Sequence, residues 1–377
     1  MAKSKKAKSD AGKISISGLR ELINKTSGIE VAHNLNEANP TEVKEWIPTG
    51  SRWLDSIICR GKIAGIPVGK FIELAGLEST GKSFMAAQIA ANAQRMGMTV
   101  IYMDAESAID PSFMERAGCD LETLIYVQVQ SVEHVLETVE NILGSGQQRV
   151  LFIWDSLALT PTISDVEGDF NPQSTMAFKA RVLSKGMSKL TIPMANGKSA
   201  FLVLNQLKTN ITRSISETLT TPYFTPGGKS MHYVYSLRIW LTGRKAKASF
   251  VVDENGFRIG SEVKVKLEKS RFGTQGRRCN FKILWGNDII GIQDKESWLE
   301  AIKGSEHVTN AGAWFTLHYP EVPGESTPAS EKFQTSSWIA KLEDEKFRNR
   351  VFEIMDEFVI KKFDAREGNA DDFYDPV

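Results

Sequence analysis

Gly76-Leu77-Glu78-Ser79-Thr80-Gly81-Lys82-Ser83 follows the pattern G-x-x-x-x-G-K-[ST]. Before it, Phe71-Ile72-Glu73-Leu74-Ala75 reads as a buried strand; after it, Phe84 to Arg95 reads as a helix. In that setting the pattern is a phosphate-binding loop. Its glycines let the backbone curl, so that successive N–H groups converge on phosphate oxygens. Lys82 adds a point charge for the β- and γ-phosphates, and the Ser83 hydroxyl suits Mg2+. The helix that follows turns the positive end of its dipole to the same place. The residues Gly76 to Ser83, with Phe84, are therefore the expected contacts to a nucleotide such as ATP.

Outward from the loop, apolar runs recur at 98–104, 124–129, 149–155 and 199–204, with helical stretches at 82–96, 131–143 and 175–190. This alternation predicts an α/β fold with a mainly parallel central sheet covered on both faces. Segments 235–242, 248–252, 261–268 and 279–285 read as strands on short turns such as Glu254-Asn255-Gly256, and are expected to extend the sheet antiparallel. Ile16, Leu19, Leu22 and Ile23 give residues 14–25 the spacing of a short helix that needs a surface to pack on. Residues 1–13 are rich in Lys, Ser, Ala and Gly, which predicts disorder. Residues 319–337, rich in Pro, Ser, Thr and Glu, read as a loop, and 341–362 as a charged amphipathic helix. The expected divisions are an arm at 1–41, a core at 42–290 and a small C-terminal α+β domain at 291–377.

Composition narrows the class. Of 377 residues, 41% are hydrophobic and 24% charged, ordinary for a soluble globular protein. The longest apolar runs fall well short of a membrane span, and no apolar segment follows the first lysines. Cys59, Cys119 and Cys279 lie far apart, so neither a zinc site nor a disulfide framework is expected, and a cytoplasmic setting fits. The formal net charge is zero, which argues against a uniformly basic nucleic-acid binder. Charge is instead local: Lys3 to Lys13, Arg244 to Lys247 and Lys264 to Arg278 are basic, and Glu367 to Asp375 is acidic.

Further candidates lie at strand ends. Leu151-Phe152-Ile153-Trp154-Asp155 is an apolar run closed by an acid, and Asp155 is the expected second anchor for Mg2+. Met103-Asp104-Ala105-Glu106 supplies a carboxylate to orient attacking water; Glu106 is the candidate, with Asp104 and Glu78 as alternatives. Asn205-Gln206 ends another strand, where an amide would either sense a γ-phosphate or bond to its own turn. Residues 207–228 then hold six Thr, two Ser, Lys208, Asn210, Arg213, Tyr223 and Phe224, closing on Pro226-Gly227-Gly228. A long loop with cations and aromatics suits phosphate contact and base stacking. The stretch Pro161 to Thr175, with Glu167-Gly168-Asp169-Phe170, is a second candidate loop.

Taken together, these motifs resemble the RecA family of homologous-recombination ATPases, from Pro48-Thr49-Gly50-Ser51 to Gly312-Ala313-Trp314. The resemblance implies a RecA-type ATPase core with a short N-terminal oligomerisation helix. It maps the catalytic glutamate to Glu106, the magnesium aspartate to Asp155 and the γ-phosphate sensor to Gln206. Asp110 and Phe113 fall where the family contacts adenine, Phe113 replacing a tyrosine. Val166 to Asp169 resembles the first DNA-binding loop and 207–228 the second; Glu167, Gly168, Phe170, Arg181, Lys208, Asn210, Arg213, Phe224, Gly227 and Gly228 are the implied DNA contacts. Lys269 and Arg271 match two lysines that reach ATP across the protomer interface; at Arg271 the charge is kept but the geometry changes. Pro222-Tyr223-Phe224, the short acidic tail and the lysine-rich start set this chain apart as a divergent member, such as a bacteriophage recombinase.

The activity implied is an ATP-dependent recombinase that forms a head-to-tail helical filament on single-stranded DNA and exchanges strands with homologous duplex DNA. Its setting would be DNA repair, DNA damage and the SOS response, alongside single-strand-binding and mediator proteins. Two other readings carry the same phosphate loop: a RecA-fold ATPase without strand exchange, such as a ring helicase or clock-type kinase, and a regulatory protein that uses nucleotide only to set its shape.

Overall fold

The computed structural model describes residues 15–28, 30–36, 41–146, 149–168, 177–210, 222–243, 249–286, 290–320 and 329–360. The lysine-rich start, Asp169, Phe170, Arg213, Lys245, Lys247 and the acidic tail lie outside the described residues. The chain falls into two compact units, Met1–Glu42 and Val43–Val377.

In the first unit, helix α1 spans Ile16–Ser27. Ser15 caps it by accepting from the Gly18 N–H, and Gly28 ends it at φ 69°. The Asn24 side chain accepts from the N–H groups of Val31 and Ala32, folding the following chain back onto the helix. Ile16, Leu19, Leu22 and Ile23 are all exposed, Ile16 by 89%.

The second unit is built on a sheet of ten strands among the described residues. A short ribbon of β1 (Trp46–Ile47) and β2 (Ile66–Pro67) flanks helix α2 (Arg52–Ile58). Strand β3 (Phe71–Gly76) leads into α3 (Lys82–Arg95), β4 (Thr99–Asp104), α4 (Pro111–Arg116), β5 (Leu124–Gln128), α5 (Val132–Gly144) and β6 (Val150–Asp155). Then come α6 (Ile163–Glu167), α7 (Phe178–Asn196) and β7 (Ala200–Gln206). A ribbon of β8 (Lys208–Thr209) and β9 (Tyr223–Phe224) precedes β10 (Leu237–Thr242), β11 (Phe250–Val252), β12 (Arg258–Ser270), β13 (Arg278–Leu284) and β14 (Gly291–Gln293). The strand order is β14-β13-β12-β10-β3-β7-β6-β4-β5, with β11 on β12.

Strand polarity corrects one expectation. β10 does not begin an antiparallel extension; it pairs parallel with β3, Leu237 facing Ile72, and the sheet changes sense only at β12. The inner parallel strands are largely apolar on both faces because helices cover both, whereas β5 at the edge is half-exposed. Ile72, Leu74, Leu151 and Ile153 pack with α3, whereas Phe71, Phe152 and Trp154 pack with α5 and α7.

Beyond the sheet, β15 (Val308–Ala311), β16 (Trp314–His318) and β17 (Ser330–Gln334) form a small antiparallel sheet. β17 lies inside the stretch expected to be a loop: Phe333 alone is buried there, enough to stack on Phe315 at 5.7 Å and meet Phe347 edge-on at 5.3 Å. The helix expected at 341–362 runs Glu345–Phe358, capped by Asp344, which accepts from the Phe347 N–H; a separate turn of helix, Trp338–Lys341, precedes it. No helix of the described residues is long and apolar enough to cross a membrane.

Candidate nucleotide site and its links to two loops

The phosphate loop joins the buried end of β3 to α3. A Cβ at Gly76 would lie 2.5 Å from Thr80 Oγ1, and one at Gly81, where φ is +82°, would lie 2.7 Å from Ile283 Cδ1. Both positions therefore require glycine. Thr80 Oγ1 and Lys82 Nζ donate to the Leu77 carbonyl at 2.8 and 3.0 Å, curling the loop on itself. The Lys82 amine is held below its usual range by burial, partly offset by Asp155, Glu106 and Glu78.

Asp155 closes β6 opposite this loop. Its Oδ2 accepts from Tyr102 Oη at 2.8 Å and from Ser83 Oγ at 3.1 Å. Burial pushes the carboxyl up to about 6, against the Tyr102 hydrogen bond, which lowers it. A carboxylate and a hydroxyl this close form a hard oxygen donor set that fits Mg2+. The next residue, Ser156, donates its hydroxyl to Glu106 Oε1 at 2.6 Å. Asp104, one of the expected alternatives to Glu106, is committed elsewhere. Its carboxylate accepts from the N–H groups of Glu106, Ser107 and Ala108 and from Tyr126 Oη. Asp104 shapes the turn that carries Glu106; Glu78 is exposed on the phosphate loop.

Strands β3 and β7 run in register so that Gly76 faces Gln206, and the Leu207 N–H donates to the Gly76 carbonyl at 3.0 Å. Gln206 thus sits beside the phosphate loop and opens directly into β8. In the β8–β9 ribbon Lys208 faces Phe224 and Thr209 faces Tyr223. Tyr223 packs towards Leu207 and Trp240, while Phe224 is 45% exposed and Lys208 is exposed with it. Asn205 donates to Glu73 Oε1 and to the Pro226 carbonyl, both at 3.0 Å. Arg238 donates to Glu73 Oε2 at 2.6 Å and to Thr225 Oγ1 at 3.0 Å. Both ends of the segment 207–228 are therefore tied to strands of the phosphate-loop sheet. Gly227 and Gly228 have φ +112° and +86°, and a Cβ at Gly228 would lie 3.0 Å from Ala180 Cβ on α7.

The RecA N-terminal domain model matches residues 15–290. Protein RecA of Fusobacterium nucleatum is 33% identical over 295 residues, covering 78% of this chain and 73% of its own. Protein RecA of Colwellia psychrerythraea is 30% identical, covering 82% and 85%; that of Haemophilus ducreyi is 28% identical, covering 87% and 84%. The chain belongs to the RecA family.

Other residues that the RecA resemblance singles out are placed as follows. Asp110 caps α4, accepting from the Ser112 N–H at 3.0 Å, and Phe113 meets Phe84 edge-on at 5.4 Å. Glu167 and Gly168 are exposed at the end of α6, whose start is closed by the reciprocal Thr162–Asp165 cap. Pro161 to Gly168 thus contains a short helix where the sequence suggested only a loop. Arg181 is exposed on α7, and Asn210 donates its N–H to the Pro222 carbonyl at 2.8 Å. Lys269 and Arg271 stand together, both donating to the Tyr233 carbonyl, at 3.4 and 2.6 Å. Because Lys269 pairs with Arg238, and Arg238 with Glu73, both cations lie at the opposite end of the strands from Gly76. They are not positioned to serve their own RecA phosphate loop.

Sequence reasoning passed over Tyr102, Ser156, Glu73 and Arg238. One signal was available for the last two: a lone acid and a lone base inside the apolar runs Phe71–Leu74 and Leu237–Leu241. Buried charges in neighbouring strands call for each other.

Proposed function

We propose that this chain is an ATP-dependent DNA recombinase acting in recombination and DNA repair, assembling head to tail as a filament on single-stranded DNA and pairing it with homologous duplex. Gly76 to Ser83, with Phe84, would hold the triphosphate, and Asp110 and Phe113 the base. Ser83 and Asp155 would hold Mg2+, which when bound neutralises charge developing on the phosphates. Glu106 would orient and deprotonate the attacking water, its carboxylate aimed by the Ser156 hydroxyl.

The observation that carries this reading is the Gly76–Gln206 register. It sets an amide beside the phosphate loop at the root of a ribbon bearing an exposed aromatic and an exposed lysine. A γ-phosphate contact at Gln206 would shift Lys208, Asn210 and Phe224, and with them the grip on single-stranded DNA. Glu167, Gly168, Phe170, Arg181, Arg213, Gly227 and Gly228 complete the proposed DNA surface. Lys269 and Arg271 would compensate charge on the neighbour's ATP, and the exposed apolar side of α1 would dock on a neighbouring protomer, an open head-to-tail contact that propagates as a filament. The divisions 1–41, 42–290 and 291–377 follow as arm, core and C-terminal domain. Single-strand-binding and mediator proteins are the further partners proposed.

The test is ATP hydrolysis with and without single-stranded DNA, with Lys82→Ala as control. Stimulation by DNA that vanishes in the control is expected. Turnover indifferent to DNA would favour a RecA-fold ATPase of another kind.

A further inference from the structure

Lys179 stands in the first turn of α7, and its ammonium is used up by backbone. Nζ donates to the carbonyls of Thr160 at 2.6 Å, Leu157 at 2.7 Å and Ala158 at 3.2 Å. Those carbonyls belong to the turn that leaves β6 immediately after Asp155-Ser156. The same turn is braced from inside. Thr160 Oγ1 accepts from Trp154 Nε1 and donates to the Ser156 carbonyl, both at 2.8 Å, and the Leu157 N–H donates to the Leu204 carbonyl. Three carbonyls converging on one point suit a cation with several N–H donors; the Lys ammonium carries three on a single atom, and the Arg guanidinium, with five in a planar fork, is the nearest substitute.

We infer that Lys179 is a positioning residue that locks the turn 157–160 to α7, holding the Ser156–Glu106 contact and the start of the segment 162–168 in one arrangement. The clamp lies between the two halves of the proposed machinery. Upstream of the turn is Ser156, which aims Glu106; downstream is α6, with Glu167 and Gly168. Burial brings the amine down to about 8, with Asp165 on α6 raising it and Lys208 on β8 lowering it, one charge from each loop. Lys179 thus reads as a strut between nucleotide chemistry and DNA binding. The role rests on the reading of 162–168 as a DNA loop.

The experiment measures ATP turnover against oligo-dT concentration for wild type, Lys179→Met and Lys179→Arg, with melting midpoints alongside. In Lys179→Met the DNA needed for half-maximal stimulation should rise about tenfold, the scale of one charge-assisted hydrogen bond, with KM for ATP within about twofold. Lys179→Arg, which keeps the charge, should recover most of that loss. Unchanged DNA dependence, or KM for ATP and DNA dependence worsening in parallel with melting and without rescue, would overturn the role. A second measurement uses the wild type alone: acylation of lysines followed by peptide mass spectrometry. With rates expressed per deprotonated amine, Lys179 should react at least about tenfold slower than exposed Lys185, as a hydrogen-bonded amine must open first. Equal rates would overturn the clamp itself. Slow acylation in a wild type indifferent to DNA would instead remove the DNA-loop reading and the coupling role with it.

Discussion

Arg238 Nε lies 2.6 Å from Glu73 Oε2, with side-chain exposures of 5% and 1%. The pair spans adjacent parallel strands, and each partner has a second bond outward: Glu73 accepts from Asn205, and Arg238 donates to Thr225. Both carboxylate oxygens and two of the guanidinium N–H groups thereby have protein partners, which favours keeping such charges buried. The same bonds anchor the closing end of 207–228 to the strand that ends in Gln206. Replacing Arg238 by Met should strand the Glu73 carboxylate and cost about 3–5 kcal/mol in denaturant unfolding. A loss below about 1 kcal/mol would mean that the pair is not isolated from solvent in solution.

Asp155 offers a pH test. Its folded pKa, about 6, stands above the ordinary value of 3.8, so the fold prefers the protonated acid. The contribution to stability is full below about 4 and is lost as pH rises through about 6. In chelator and without nucleotide, Asp155→Asn should therefore be stabilising by about 1–3 kcal/mol at pH 7.5, and by much less at pH 4. A variant equally destabilised at both values would contradict the assigned burial effect.

Glu106→Gln keeps the size of the side chain and its bond from Ser156 but removes the base. ATP and DNA binding should persist while turnover falls by about 10²–10⁴. Wild-type turnover in this variant would remove Glu106 from the chemistry.

The ribbon separates two aromatics. Phe224→Ala should weaken single-stranded DNA binding by about 1–3 kcal/mol if a base stacks there. Tyr223→Ala should lower thermal stability instead, because Tyr223 packs towards Leu207 and Trp240. Equal effects of both variants on both properties would refute the division between the ribbon's faces.

For Lys269, mixing distinguishes a role in the neighbour's site from one in its own. Lys82→Ala and Lys269→Ala should each be nearly inactive. An equimolar mixture should regain activity at about a quarter of its interfaces, where an intact phosphate loop meets an intact lysine. No recovery on mixing would confine both residues to one protomer's site.

The phosphate loop, the alternating strands and the helices α1, α3 and α5 were legible from residue order because each depends on neighbours. Eight consecutive residues form the loop, continuous apolar runs make the inner parallel strands, and Ser15 and Ser131 cap their helices from adjacent positions. β17 escaped notice because Ser330–Gln334 is polar but for one buried phenylalanine. Strand direction was hidden at Leu237–Thr242, since an apolar run buried on both faces looks the same whichever way it pairs.

Glu106 and Asp104 stand two residues apart at the end of one strand, and residue order left the choice of base open until the family resemblance favoured Glu106. In the folded turn the two carboxylates differ: Asp104 accepts from three N–H groups, and Glu106 accepts from the Ser156 hydroxyl, fifty positions away. Glu73 finds Arg238 across 165 positions, and Lys179 finds three carbonyls about twenty positions upstream. Local order is enough to specify hydrogen bonds within a loop or helix. A charge whose partner arrives through sheet pairing or helix packing acquires its role only when the chain has folded.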